Sequence, residues 1–290
     1  MWVPLALACA LLTGTADALA KRLLVRSNER VVAWAVLLFA VPWLFIGPMV
    51  AGFPRLSPGF WTIVALMIPL ELAAHLSYLR AIRISPLSLA VPFLAFTPLL
   101  SAGTAWLFLG ERVSGLGLAG VASVTAGAYV LQAELVPRGL LEPIRAMSRD
   151  PGIRLMLFTA AIYGITSTLG KRAIQLSSPM AFLFIYFSLD ALILMGIAWH
   201  SAGSARGLGG QLRWQWGFYA LAGAVTAGAF YTHCLGIAKA PVAYFIAIKR
   251  LSLLVSVLYG GLLYREKGFG FRMAGALLML AGAVLVGLHR

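Results

Sequence analysis

Long stretches with no Asp, Glu, Lys or Arg dominate the chain: 31–51, 84–110, 113–133 and 214–238. Four more carry few charges. Residues 3–20 hold Asp17, 56–79 hold Glu71 and His75, 173–199 hold Asp190, and 240–264 hold Lys249 and Arg250. An apolar run of about 18 or more residues is long enough to cross a bilayer as a helix. Two shorter runs, 155–170 and 273–288, extend through neighbours such as Ile153 and Phe271. The pattern predicts ten transmembrane helices near 2–23, 31–51, 59–82, 86–109, 114–133, 153–173, 179–200, 214–237, 241–263 and 269–288. The short alternating segments of a membrane barrel are absent from it. The expected class is an all-α membrane protein. Leu5–Thr13 has the length of a signal h-region and Ala18-Leu19-Ala20 resembles a cleavage site. No Lys or Arg precedes the run, however, and Asp17 would sit beside the cut, so an uncleaved first helix is expected.

The longest polar stretch, 134–152, is read as an amphipathic connector in which Leu140, Leu141, Ile144 and Met147 line one face of a surface helix. A plain linker is the alternative. It separates two five-helix units, 1–133 and 153–290, and those units resemble each other. Shifting 82–128 forward by 155 gives twelve ungapped identities, among them Pro86/Pro241, Ser101/Ser256, Glu111/Glu266, Gly120/Gly275 and Gly127/Gly282. At an offset of 150, Gly14, Lys21 and Arg22 meet Gly164, Lys171 and Arg172. An odd number of helices per unit makes the second repeat inverted. Two inverted five-helix repeats are a plan of secondary transporters, with the substrate site near the midplane between them. Among the remaining loops, the Gly- and Ser-rich 201–210 is the only long flexible one expected.

Composition narrows the class further. Apolar residues make up 61% of the 290 positions and charged residues 11%, which excludes an ordinary soluble enzyme and a disordered chain. Cys9 and Cys234 sit inside apolar runs and offer neither a disulfide scaffold nor a metal cluster, so no metal and no cofactor are expected. The net charge of +14 is assigned to loops facing an anionic bilayer rather than to nucleic acid. The face with loops 1–2, 3–4, 5–6, 7–8 and 9–10 holds fifteen Lys and Arg, and the face with both termini holds six. The positive-inside rule then puts both termini outside. The expected location is a bacterial inner membrane, multi-pass. Trp34, Trp43, Trp61, Trp106, Trp199, Trp214 and Trp216 read as an interfacial belt.

Some charges fall where the helices should be buried in lipid. Lys249 and Arg250 lie mid-helix, and together they cost on the order of 5–7 kcal/mol on insertion scales unless water or a partner relieves them. Their repeat mates, Leu94 and Ala95, are apolar, so the couplet is not shared scaffold. It is the first candidate for binding an anionic group. An internal salt bridge to Glu71, Asp190 or Asp17 is the alternative. Those three carboxylates are candidates for proton coupling. Glu71 and His75 lie one turn apart and form a possible relay, while Asp17 and Lys21 are spaced to neutralise each other. Tyr231 and His233 accompany small residues, Ala222, Gly223, Ala227, Gly228 and Ala229, that leave room for a cavity. Glu111, in Gly110-Glu111-Arg112, is either a gate salt bridge or a charged helix end. Gly120/Gly127 and Gly275/Gly282 form small faces for close helix packing, against each other or in a homodimer. A monomer is the expected state. Pro92 and Pro98 interrupt the fourth helix, where their repeat mates are Ala247 and Leu253.

The stretch ISPLSLAVPFLAFTPLLSAGTAWLFLGERVSGLGLAGVASVTAGAYVL (84–131) resembles an EamA-type carrier of the drug/metabolite transporter superfamily. So does KAPVAYFIAIKRLSLLVSVLYGGLLYREKGFGFRMAGALLMLAGAVLVGL (239–288). The pattern of apolar helix, Gly-Glu-Arg and Gly-rich helix is also similar to the small multidrug resistance proteins. The resemblance implies a ten-helix carrier, most of whose relatives keep both termini in the cytoplasm, against the charge count. Lys249-Arg250 further resembles the Lys-Arg pair with which plastid triose-phosphate/phosphate translocators hold phosphate. That narrower resemblance implies substrate-binding roles for Lys21, Lys171 and Tyr231, although the spacing from Pro241 to the pair is shorter here.

The resulting expectation is a secondary carrier of a small organic metabolite working by alternating access, by exchange or proton coupling. Its substrate is expected to be anionic or phosphate-bearing. An exporter of amino acids, other zwitterions or drugs is the first alternative. A membrane enzyme acting on lipid head groups is the second, although no His/Asp set or metal-ligand spacing marks an interface.

Overall fold

Prolines and short polar side chains start several of the helices. Asn28 accepts from Arg30 N at 2.9 Å, Asp150 from Ile153 N at 2.9 Å, and Ser178 from Ala181 N at 3.2 Å, each satisfying an amide that the helix itself leaves unpaired. Pro4, Pro151 and Pro179 occupy first-turn positions, where no amide is needed. The computed structural model describes residues 2–86, 90–130, 150–213, 215–255, 258–259 and 269–288. In order, the helices are α1 Val3–Leu24, α2 Glu29–Ala51, α3 Phe60–Ile84, α4 Thr97–Leu109, α5 Gly115–Val130, α6 Pro151–Gln175, α7 Pro179–Ala202, α8 Ala205–Arg213, α9 Trp216–Ile237, α10 Val242–Lys249 and α11 Phe269–Leu288. A 3-10 segment, Val91–Phe96, leads into α4. Among the described residues there is no strand.

Among the described residues, seven helices are long and apolar enough to cross a membrane: α1, α2, α3, the 3-10 segment with α4, α6, α7 and α9. Within α5 and α11 the apolar stretches are shorter, Gly115–Ala128 and Leu277–Val286. The chain is thus an all-helical, multi-pass membrane protein. Most of the connector 134–152 falls outside the described residues. The Gly- and Ser-rich segment after α7 is not merely a loop. Ala205–Arg213 forms α8, with Leu208 buried, and Gln211 Oε1 accepts from Asn28 N at 3.1 Å. One buried leucine and a side-chain bond to the α1–α2 turn settle a helix that local composition disfavours.

The two halves interlock. α2 packs on α7 and α5 on α11, each helix meeting its own repeat mate, while α4 packs on α10, which corresponds to the segment just before α4. α1 packs on α9, and its mate α6 packs on α3, which is the mate of α9. The α5–α11 seam depends on missing side chains. A Cβ on Gly120 would lie 2.9 Å from Gly282 O, and one on Gly282 would lie 2.6 Å from Gly120 O. The glycine faces are therefore used within one chain, backbone against backbone, as close packing in lipid requires. Trp43, Trp61, Trp106, Trp199 and Trp216 are exposed, whereas Trp34 is buried in the core.

Both halves are broken at the same repeat position. Val91–Phe96, shifted by 155, falls on 246–251. There α10 gives way to tighter bonds: Leu251 N donates to Ile248 O at 3.0 Å and Leu253 N to Arg250 O at 3.0 Å. The first break is supported by Thr125, whose hydroxyl donates to Ala95 O at 2.9 Å.

Candidate functional site

The breaks adjoin a central cavity of about 230 Å³. Asp17 of α1, Glu71, His75 and Tyr78 of α3, and Tyr163 and Thr166 of α6 line it. It is also lined by Phe182, Tyr186, Phe187 and Asp190 of α7, Phe230 and His233 of α9, and Lys249 and Arg250 at the end of α10. Ala222 and Ala229 keep the α9 wall low. Phe187 and Phe230 stack at 3.7 Å between centroids, and Phe182 stacks on Tyr186 at 5.1 Å, so one side of the chamber is aromatic.

The hydrogen-bond partners of the couplet are neutral. Lys249 Nζ lies 3.2 Å from His233 Nδ1. One guanidinium nitrogen of Arg250 donates to Thr97 Oγ1 at 2.9 Å. Thr97 is the first residue of α4 and the repeat mate of Ser252, so the two broken helices touch where they break. Arg250 is 5% exposed, and its Nε–H has no partner. Asp190 is 4% exposed, and its Oδ1 likewise has none. Among the described residues lining this chamber, the Tyr186 hydroxyl is unpartnered too, while the Tyr78 hydroxyl faces Asp17. Buried polar atoms left unpaired cost roughly 1–3 kcal/mol each. Three such atoms belong to residues on the walls of one cavity. Glu71 faces Thr166 and lies within electrostatic reach of Lys249, while Asp17 lies within reach of Arg250.

A sequence model of the EamA-like transporter family matches residues 1–132 and 150–288. The chain belongs to the EamA-like transporter family. Both halves of this EamA-like protein match that single description, in line with the internal repeat and with a carrier of the drug/metabolite transporter superfamily. Chains of solved structures also match, 29 in number. One, titled only as the crystal structure of a protein, has a TM-score of 0.70 at 18% identity, covering 99% of this chain and 96% of that one. That likeness concerns the fold. No curated protein matches.

In this EamA-like transporter the candidate residues fall into two groups. Lys249, Arg250, His233, Glu71, His75, Asp190 and Asp17 converge on the cavity. Tyr231, Lys21 and Lys171 are not among its lining residues. The Tyr231 hydroxyl donates to Trp43 O at 2.9 Å or Leu44 O at 3.1 Å and accepts from Gly47 N at 2.8 Å. Pro48 cannot donate to Leu44 O, and the Tyr231 hydroxyl is within reach of that carbonyl. The Lys21 ammonium donates to Ile82 O and Ser85 O. Lys171 donates to Glu111 and to Ala240 O, and Glu111 Oε2 accepts from Val242 N at 2.8 Å. Ser85 and Ala240 are repeat mates, each just before the proline that precedes a broken helix. The sequence reading did not single out Tyr78, Tyr163, Tyr186, Thr97 and Thr166. Spacing provides one signal: Tyr163 and Thr166 sit three residues apart on α6, and Tyr186 and Asp190 four apart on α7, so each pair shares a face.

Proposed function

We propose that the protein is a secondary carrier that moves a small organic anion by alternating access, with the negative group held by Lys249 and Arg250. The observation that carries this reading is a cation pair at a helix break, bordering a cavity, with neutral hydrogen-bond partners and a buried N–H still unpaired. A carboxylate or phosphate satisfies that N–H and offsets both charges through charge-assisted hydrogen bonds. The cavity is smaller than the ~300–1,000 Å³ typical for drug-sized ligands, which favours a metabolite. Ten spans in two inverted repeats, with the couplet near the midplane, complete the scheme. Glu71, beside Lys249 and one turn from His75, is the carboxylate assigned to proton coupling; exchange of one anion for another is the other mode. The positive-inside rule puts the termini outside.

A second reading, a zwitterionic substrate, is favoured by Asp190, whose unpartnered Oδ1 suits an ammonium group in the same cavity. The test is ligand-induced thermal stabilisation across a panel of carboxylates, phosphates and amino acids, followed by proteoliposome flux. Lys249→Ala and Arg250→Ala are each expected to abolish both the stabilisation and the flux. Unchanged behaviour in both variants would remove the couplet from the site. Loss of only the amino-acid response in Asp190→Asn would select the zwitterion.

A further inference from the structure

The couplet sits at one end of a short rod whose other end is tied down. α10 is eight residues long, about 12 Å at ~1.5 Å per residue. Lys249 is its last residue and Arg250 follows, at the break. At its first residue, Val242 N donates to Glu111 Oε2. The other carboxylate oxygen of Glu111 accepts from the Lys171 ammonium, and Lys171 also holds Ala240 O, just before Pro241. Three segments therefore meet in one ion-paired knot: the turn after α4, the end of α6, and the α9–α10 junction. Lys171 is 8% exposed, so water screens the pair little. The rod is thus held by a charge pair at one end and ends at the other where its backbone bonds tighten.

We propose that the Glu111–Lys171 pair is a latch that positions the half-helix bearing Lys249 and Arg250, and that it releases when the cavity opens toward the face holding Glu111. The proposal rests on the transport reading above. Lys21 gives the fold a matching contact in the first half, on Ser85 O, so the latch occupies a repeat position rather than an incidental one. Glu111 and Lys171 are positioning residues, since neither lines the cavity. Closed, the latch holds the couplet against His233 and Thr97. Released, it lets the rod tilt about its break.

The latch can be read without any substrate. Ile174, in the last turn of α6, lines the cavity near this face. A cysteine there, in a background with Cys9 and Cys234 replaced by alanine, reports access to a membrane-impermeant maleimide. Glu111→Gln and Lys171→Met are each expected to speed labelling from the Glu111 face several-fold, and Lys171→Arg is expected to stay close to the parent. Labelling rates unchanged in Gln and Met variants that purify as single folded species would overturn the latch. If Glu111→Gln does not accumulate, Glu111→Asp, one methylene too short to span both Val242 N and Lys171, is read against the same outcomes. If that variant also fails, Lys171→Met decides alone. Loss of ligand response in Lys249→Ala with latch labelling intact would separate a failure of the site from a failure of the latch.

Discussion

The two helix breaks occupy one repeat position and are built in opposite ways. In the first, Pro92 and Pro98 deny the backbone its regular bonds, and Val91, Pro92, Phe93, Leu94 and Ala95 are all buried. In the second, Ala247 and Leu253 stand where those prolines would be, and Lys249 and Arg250 take the places of Leu94 and Ala95. One break contains two prolines and is packed with hydrocarbon. The other carries charge into the same kind of bend without a proline. An internal duplication supplies the geometry twice, so only one copy has to carry the chemistry and the other is free to specialise as scaffold. Arg250 reaching Thr97 joins the two roles.

Exchanging features between the breaks tests this division. The largest effect is expected from giving the second break the residues of the first, Lys249→Leu with Arg250→Ala. That variant should insert and melt at or above the parent temperature, because two buried cations are gone, while proteoliposome flux falls to background. Retained flux would mean that the breaks do not differ in function. A smaller effect is expected from the reverse exchange at a site away from the cavity. Ala95→Arg introduces a cation at a residue 1% exposed, at a cost of about 2.5–3.5 kcal/mol. The readout is yield of folded protein by fluorescence-detected chromatography, and an undiminished yield would show that the first break also tolerates charge. The smallest effect is expected from Pro92→Ala, which gives the first break the residue found in the second. It should lower stability by only about 0.4–1 kcal/mol through the unfolded chain, since Thr125 still holds Ala95 O. A larger loss in chemical denaturation would show that the proline itself maintains the bend.

Much of the architecture is legible in the sequence because lipid imposes a simple rule. Charge-free runs fix where helices lie, and the offsets of 155 and 150 fix which of them correspond. The couplet is legible for the same reason, since a cation inside a run is conspicuous. The tyrosines are not. Tyr78, Tyr163 and Tyr186 look like packing residues in an apolar segment, and only the convergence of α3, α6 and α7 brings them around one space. Lys21 and Lys171 pose the opposite difficulty. Each lies near the end of its helix, where the flexible stem of a lysine reaches either a chamber or a neighbouring carbonyl, and spacing does not distinguish the two. Glu111 is similar: its neighbours in sequence mark a helix end, while the partner that gives it a role is 60 positions away.

The interlocking of the halves also bears on how the protein is made. During synthesis the first five segments leave the translocon before the partners of α2, α4 and α5 exist. Until α7, α10 and α11 arrive, the backbone of Gly120 faces lipid tails rather than Gly282. The nascent first half thus lacks the surfaces that cover it in the finished fold.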